Sequence, residues 1–162
     1  MGQRICLNMI VKNEAHVIER CLRSVRPFIH SWAIADTGSA DGTQDIIRKE
    51  LSDLPGELID RPWVDFAHNR NEALELARRY GEYALLMDAD DVLEHDPAFA
   101  LPQLDARAYS VEFVFGATRY FRNFIVRLDD AVRWHGVLHE VIDAPGGIVA
   151  TPLRGLRMRI SK

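Results

Sequence analysis

The stretch Ile5–Glu14, ICLNMIVKNE, decides the fold class of this chain. It is apolar as far as Val11, with Asn8 as the one exception, and so continuous an apolar run is typical of a central strand covered on both faces. The polar residues 12–14 end the strand. In residues 15–25 the apolar positions then fall on one face of a helix. The chain is therefore predicted to begin with a buried strand, a polar loop and a helix.

The alternation of strand and helix continues along the first half of the chain. Further strands are predicted over residues 31–35, 56–60 and 83–87, and helices over residues 44–51 and 67–80. Short links between such elements imply right-handed crossovers between parallel strands. The sequence thus predicts an α/β fold with a mostly parallel central sheet flanked by helices.

The second half of the chain has a different pattern. Residues 109–115 and 120–128 are rich in the aromatic and β-branched side chains that favour strands, and the last residues predict a basic strand. We therefore expect a single domain over residues 1–162. Its first half, residues 1–97, is followed by a smaller, antiparallel C-terminal extension, residues 98–162.

The composition excludes several classes of protein. With 162 residues, of which 48% are hydrophobic, the chain is long enough for one globular domain with a substantial core. Its net charge of -4 gives no reason to expect a nucleic-acid partner. No apolar run approaches the roughly 20 residues of a transmembrane helix, so we expect a cytoplasmic protein without a transmembrane segment. Cys6 and Cys21 lack paired spacing and are predicted to be buried, reduced thiols.

The segment LLMDADDVL, residues 85–93, brings three carboxylates to the end of a predicted strand. Asp88 and Asp90 are two positions apart, so in an extended segment both side chains point the same way. Like charges this close repel one another, and a hard divalent cation such as Mg²⁺ or Mn²⁺ would offset that repulsion. The alternative is a solvated acidic turn in which Asp91 caps a following helix.

A second polar loop, DTGSADGT, follows the second predicted strand. It has neither the glycine spacing of a dinucleotide fingerprint nor the lysine of a phosphate loop. Asp36, at the end of the strand, suits a nucleobase imide or a ribose hydroxyl. The alternative is a plain strand-to-helix turn in which Ser39 or Asp41 caps the helix. Because ligands of parallel sheets bind beyond the carboxyl ends of the strands, the loops 12–14, 36–43 and 88–91 are expected to share one rim.

Two further segments carry candidate functional groups. Arg70 begins a helix, and its guanidinium could bind a base carbonyl, a diphosphate or an aspartate of the rim; a surface salt bridge is the alternative. His139 and Glu140, in WHGVLHE, combine a possible metal ligand with a possible proton acceptor, or they form a purely structural pair.

Taken together and in this order, the motif segments resemble family 2 glycosyltransferases, in particular the bacterial subgroup whose first strand ends in a MIVKNE-like loop. The segments are ICLNMIVKNEAHVIERCLRSV, AIADTGSADGTQDII, DFAHNRNEALELA, YALLMDADDVL and WHGVLHEVI. The resemblance extends from Ile5 to Ile142. It implies a GT-A fold, a nucleotide-diphospho-sugar donor with a UDP-sugar favoured, Mn²⁺ or Mg²⁺ as cofactor, and inversion at the anomeric carbon. The acceptor would be a saccharide, a lipid-linked sugar or a protein.

The resemblance also implies roles for individual residues. The nucleotide would contact Val11, Asn13 and Glu14 in the loop after the first strand. Asp36 would bind the uracil-like edge of the base, Arg70 would bind the base or the phosphates, and Asp88 would lie near the ribose. The metal would be held by Asp90 and Asp88 of the DXD motif and by His139. Glu140 would be the catalytic base, and residues 98–162 would form the acceptor side.

Two other functions are compatible with parts of this pattern. A non-catalytic nucleotide-sugar-binding protein or inactive fragment would keep the donor-binding residues and transfer nothing. Members of the family commonly continue beyond the last motif, so we expect the acceptor-side half to be shortened. A nucleotidyltransferase shares the acidic strand end but usually has a glycine-rich, basic loop after its first strand, and KNEAH, residues 12–16, lacks that loop.

Overall fold

A computed structural model describes residues 3–137 and 139–160. Within these residues the chain forms an eight-stranded sheet, a separate two-stranded sheet and three α-helices. The strands are β1 (Ile5–Val11), β2 (Ser31–Asp36), β3 (Gly56–Asp60), β4 (Tyr83–Leu86), β5 (Asp91–His95), β6 (Ala108–Phe115), β7 (Thr118–Arg127), β8 (Arg133–His135), β9 (Val141–Asp143) and β10 (Thr151–Ile160). The helices are α1 (Ile18–Val25), α2 (Thr43–Glu50) and α3 (Phe66–Ala77), and a 3₁₀ turn (Arg26–Phe28) follows α1.

The large sheet has the strand order β3-β2-β1-β4-β7-β6-β10-β5. Its first four strands are parallel, which confirms the predicted α/β fold. β7 runs antiparallel to β4 and β6, and β8 pairs antiparallel with β9. The C-terminal half therefore continues the same sheet, and the small antiparallel sheet is an addition to it. The basic C-terminal strand, β10, lies inside the sheet, parallel to β6 and antiparallel to β5.

The central strand β1 is buried almost throughout, as the apolar run predicted. Its one polar side chain, Asn8, is satisfied inside the core, because Nδ2 donates to the carbonyls of Ala33 in β2 (3.0 Å) and Ala73 in α3 (2.8 Å). Asn8 thereby fixes α3 against the sheet. Cys6 and Cys21 are both buried free thiols, as predicted, and burial raises the pKa of Cys6 to about 12.

Several element boundaries differ from the sequence-based expectation; α3, for example, ends at Ala77 rather than at residue 80. α1 begins at Ile18 rather than at Ala15, because the amides of Val17 and Ile18 both donate to the carbonyl of Glu14 in a preceding turn (3.0 and 2.9 Å). Asp91 begins strand β5, and the alternative in which it caps a following helix is wrong. None of the helices in the described residues is long and apolar enough to cross a membrane.

Candidate functional site

The polar loops at the carboxyl ends of β1, β2 and β4 meet at one rim, as the parallel topology requires. They border a cleft of about 410 Å³. Its lining comes from the ends of β1 and β2, from the start of α3 and the loop before it, and from the turn after β4. The lining residues are Ile10, Val11, Lys12, Glu14, Thr37, Trp63, Phe66, Arg70, Asp88, Ala89 and Asp90.

The loop after β1 is fastened to the loop after β2 by Asn13. Its backbone amide donates to Ser39 Oγ (2.8 Å), and its Oδ1 accepts from the amide of Ala40 (2.8 Å). Asn13 has a φ of 53°, the left-handed region that asparagine tolerates better than most residues. Its side chain is therefore engaged within the protein, and the predicted nucleotide contact by Asn13 stays a prediction.

A second set of hydrogen bonds joins the same two loops. The amide of Glu14 donates to Thr43 Oγ1 (2.9 Å), and the amide of Ala15 donates to Asp41 Oδ2 (3.0 Å). Asp41 Oδ1 also accepts from the Thr43 amide (3.1 Å). The N-cap position of α2 is Gly42, without a side-chain cap, so the alternative in which Ser39 or Asp41 caps this helix is wrong. The two loops thus form one braced unit, and sequence reasoning did not foresee these contacts.

Asp36 lies fully buried at the end of β2. Its Oδ1 accepts from the amides of Gly38 and Ser39, both at 2.8 Å. Oδ2 is buried and has no hydrogen-bond partner among the described residues. Burial pushes the pKa of Asp36 up, but hydrogen bonds from Ser39 and Gly38 outweigh it and leave this pKa below its ordinary value. A buried carboxylate oxygen without a donor is a candidate position for a ligand N–H.

The turn after β4 holds the carboxylate cluster, defined as Asp88, Asp90 and Asp91. One carboxylate oxygen of each lies within 4.8 Å of the others. The turn is closed by the Asp91 amide, which donates to the Asp88 carbonyl (3.1 Å), and by the Asp88 amide, which donates to Asp91 Oδ2 (3.2 Å). Asp88 and Asp90 thus lie close together as predicted, with Asp91 as a third member, but a turn brings them together and not the extended segment that the spacing suggested.

The electrostatics of the carboxylate cluster fit a cation. Burial, followed by the charge of Asp88, raises the pKa of Asp91 to about 7. Burial and the charge of Asp90 likewise raise the pKa of Glu14. Such shifts mark carboxylates that lack sufficient positive charge nearby. A set of oxygen donors alone suits Mg²⁺ or Mn²⁺ better than a soft metal.

Arg70 connects the cluster to the C-terminal half. Its Nη2 lies 2.9 Å from Asp88 Oδ1, and its Nε lies 3.2 Å from Glu140 Oε1. The guanidinium stands 4.9 Å from the centre of the Trp134 ring and is largely shielded from solvent. The sequence suggested several partners for Arg70, and one of them, an aspartate of the rim, is in contact with it.

Helix α3 also holds the backbone of Trp134 in place. Asn71 Nδ2 donates to the Trp134 carbonyl (2.9 Å) and Asn71 Oδ1 accepts from the Trp134 amide (2.8 Å). About two turns further on, at the end of α3, the guanidinium of Arg78 donates to the carbonyls of Asp129 and Val132. These contacts between residues far apart in sequence bring Glu140 to the rim.

The structure brings most of the predicted site residues together. Val11, Glu14, Arg70, Asp88 and Asp90 line the cleft. Glu140 joins them through Arg70. His139 is exposed and is not part of the carboxylate cluster, so its role as a metal ligand stays a prediction.

Comparison with known proteins places the chain in a family. Residues 6–130 match the family model described as glycosyl transferase family 2. A TPR repeat-containing protein of Synechococcus elongatus is 32% identical over 149 residues, which are 86% of this chain and 36% of that protein. The SPbeta prophage-derived glycosyltransferase SunS of Bacillus subtilis is 28% identical over 150 residues, 84% of this chain and 34% of SunS.

The chain therefore spans about a third of the length of the curated relatives that it matches. Among solved structures, S. aureus TarS 1–349 superposes with a TM-score of 0.52 at 17% identity, over 77% of this chain and 47% of TarS 1–349. This likeness supports the GT-A fold.

Proposed function

Because the chain belongs to glycosyl transferase family 2, we propose that it transfers a sugar from a nucleotide-diphospho-sugar, with a UDP-sugar favoured, to an acceptor. The acceptor is a saccharide, a lipid-linked sugar or a protein, and transfer inverts the anomeric carbon. The observation that carries this proposal is the carboxylate cluster, of which Asp88 and Asp90 line the cleft together with Arg70 and Glu14. A cytoplasmic location, expected from the sequence, is part of the proposal.

Asp88 and Asp90 would hold the Mn²⁺ or Mg²⁺ ion, with Asp91 beside them and His139 as a further ligand. When bound, the cation supplies Lewis-acid stabilisation of the charge that develops on the leaving nucleoside diphosphate. Arg70, at 2.9 Å from Asp88, holds that carboxylate in place and adds positive charge on the side of the phosphates.

The nucleoside would occupy the part of the cleft formed by the ends of β1 and β2. Asp36 is not among the lining residues but directly precedes Thr37, which is, and its buried Oδ2 has no donor among the described residues; an imide N–H that reached this oxygen would satisfy it. The loop from Val11 to Glu14 would lie beside the base. Its bracing to the loop after β2 pre-organises this part of the cleft and reduces the entropic cost of binding.

Glu140 is the proposed general base. Arg70 holds Glu140 Oε1 at 3.2 Å, while Oε2 accepts no hydrogen bond from the described residues. An acceptor hydroxyl that reaches Oε2 can transfer its proton there as its oxygen attacks the anomeric carbon. Residues 98–162 would supply the acceptor side.

The proposal is tested by measuring donor binding and slow donor hydrolysis in the presence of Mn²⁺. In a thermal-shift panel of UDP-, GDP-, CDP- and dTDP-sugars, one nucleotide class should stabilise the wild type only with Mn²⁺, by about 2.7 kcal/mol at 100 times its dissociation constant. Asp90→Asn should abolish this stabilisation. Glu140→Gln should keep it and lower hydrolysis about a hundredfold.

Asp45→Asn is the matched control, because Asp45 is an exposed acid on α2 and should affect neither measurement. Indifference of the wild type to every nucleotide and metal would contradict the proposal.

A second candidate, a nucleotide-sugar-binding protein without turnover, is favoured by one observation. The guanidinium of Arg70 binds both Asp88 and Glu140, so one carboxylate oxygen of the proposed base already accepts a hydrogen bond from a cation. Metal-dependent binding without hydrolysis in the wild type would identify this second function.

A further inference from the structure

Two aromatic side chains stand exposed at the mouth of the cleft, and we call Trp63 and Phe66 the aromatic wall. Trp63 is 46% exposed and Phe66 43% exposed. Their rings meet edge to face, with centroids 4.8 Å apart. Both line the same cleft as Arg70 and Asp88. The pair leaves apolar surface in water that a flat ligand in the cleft would cover.

Buried polar groups hold the aromatic wall in this exposed position. Asn69 in α3 is fully buried; its Oδ1 accepts from the Val64 amide (2.9 Å) and its Nδ2 donates to the Pro62 carbonyl (3.0 Å). These two bonds pin the backbone on both sides of Trp63. The carboxylate of Asp65 caps α3 by accepting from the His68 amide (2.7 Å), which fixes the helix start at Phe66. The wall is therefore built into the fold.

The place of the aromatic wall in the sheet indicates what it binds. The wall follows β3, and the carboxylate cluster follows β4, with β2 and β1 between them in the sheet. Phe66 lies one helical turn before Arg70 in α3, and the guanidinium of Arg70 contacts Asp88, so the wall borders the cleft next to the residue that reaches the carboxylate cluster. A nucleoside diphosphate in this cleft would contact both. With its phosphates at the carboxylate cluster, its base would lie between the ends of β1 and β2 and the wall.

We propose that the aromatic wall stacks against the nucleobase of the donor and supplies the part of the affinity that depends on the base. This inference rests on the proposed function and names residues that set its donor preference. The acceptor side is the less suitable partner for the wall. Glu140 and Trp134 contact Arg70 from the C-terminal half and are not among the residues that line the cleft, whereas Val11 and Thr37 line it together with the wall. Stacking requires only a flat π face, so the wall favours nucleotides over phosphates that lack a base.

The test compares ligands with and without a base by calorimetry in the presence of Mn²⁺. The probes are UDP, GDP, CDP and dTDP on one side and inorganic pyrophosphate on the other. Trp63→Ala should weaken binding of the preferred nucleotide about tenfold, while binding of pyrophosphate changes by less than about twofold. Trp63→Phe should restore most of the affinity, because it keeps an aromatic face. Phe66→Leu should act in the same direction with a smaller effect.

Phe121→Leu is the matched control, since Phe121 is 55% exposed on β7 and outside the cleft lining; it should bind both ligands as the wild type does. The inference is overturned if Trp63→Ala leaves nucleotide affinity unchanged, or if it weakens nucleotide and pyrophosphate alike. If the wild type binds pyrophosphate as tightly as it binds every nucleotide, the inference is also overturned, but binding at the metal site is still supported. A wild type that binds neither class contradicts the proposed function itself.

Discussion

The two sides of the cleft are held together in different ways. On the nucleoside side, the loops after β1 and β2 are braced to each other by short hydrogen bonds between neighbouring segments. On the C-terminal side, Trp134 and Glu140 are held by Asn71 and Arg70 of α3, and Arg78, just after that helix, binds the carbonyls of Asp129 and Val132. The nucleoside side is therefore pre-formed by its own loops, whereas the placement of Glu140 depends on a few long-range contacts made by one helix.

The largest expected effect comes from removing the contact that joins the two sides. Arg70→Ala should lower the free energy of unfolding by about 2 kcal/mol, because Asp88 and Glu140 lose a shared, largely shielded cation and Trp134 loses its stacked partner. Arg70→Lys should recover only part of this loss, since an ammonium cannot make two directed bonds and stack at once. Urea unfolding at neutral pH measures both.

Arg79→Ala is the control for this comparison. Arg79 lies on the exposed side of the same region, 3.8 Å from Glu57, and its removal should change the free energy of unfolding by less than about 0.5 kcal/mol. If Arg70→Ala proves as stable as Arg79→Ala, Arg70 does not hold the C-terminal side in place.

At Asn13, on the proposed nucleoside side, the glycine variant is expected to have a smaller effect. Asn13→Gly keeps the left-handed backbone and loses only the bond to the Ala40 amide, so it should cost about 1 kcal/mol of unfolding free energy or less. Asn13→Ala must also place a Cβ in the left-handed region, which adds about 1 kcal/mol. Thermal or urea unfolding of the two variants gives the difference. Equal stability of the alanine and glycine variants would show that the loop relaxes and is not pre-formed.

The same contrast explains how much the sequence could predict. β1, α1 and the cluster of Asp88 and Asp90 follow from local periodicity and spacing, and their positions at one rim follow from the parallel topology. Strand β5 was not predicted, because Asp91 pairs with Ile160 in β10, a partner that no local pattern reveals.

The missed contacts share this cause. The bond between Asn71 and Trp134 joins residues far apart in sequence, as does the ion pair between Arg70 and Glu140. The aromatic wall carried a signal that could have been used, since Trp63 and Phe66 flank a helix start, but their exposure depends on the buried Asn69. The roles of His139 and Glu140 stay predictions, because the sequence supplies the residue types and the chemistry awaits measurement.

The smallest expected effect tests whether the C-terminal side has a charge-dependent anchor at Asp129. Burial pushes the pKa of Asp129 up, but hydrogen bonds from Arg107 (3.0 and 3.1 Å) and from the Ala131 amide outweigh it, so this pKa lies below the ordinary carboxyl value. Because the pKa of Asp129 is lower in the folded state than in the unfolded state, its ionisation stabilises the folded protein. This stability is fully present above the unfolded-state pKa and is lost as the pH falls through the folded-state pKa.

Asp129→Asn should therefore be less stable than the wild type at neutral pH by less than about 1 kcal/mol, since both partners are about a third exposed. The difference should shrink as the pH falls below about 4 and vanish once Asp129 is protonated. Urea unfolding between neutral pH and pH 3 measures it, with Asp130→Asn, an exposed neighbour, as the control that should match the wild type at neutral pH. A difference that persists unchanged in acid would mean that Asp129 acts through its shape and hydrogen bonds alone, and that its contact with Arg107 does not depend on charge.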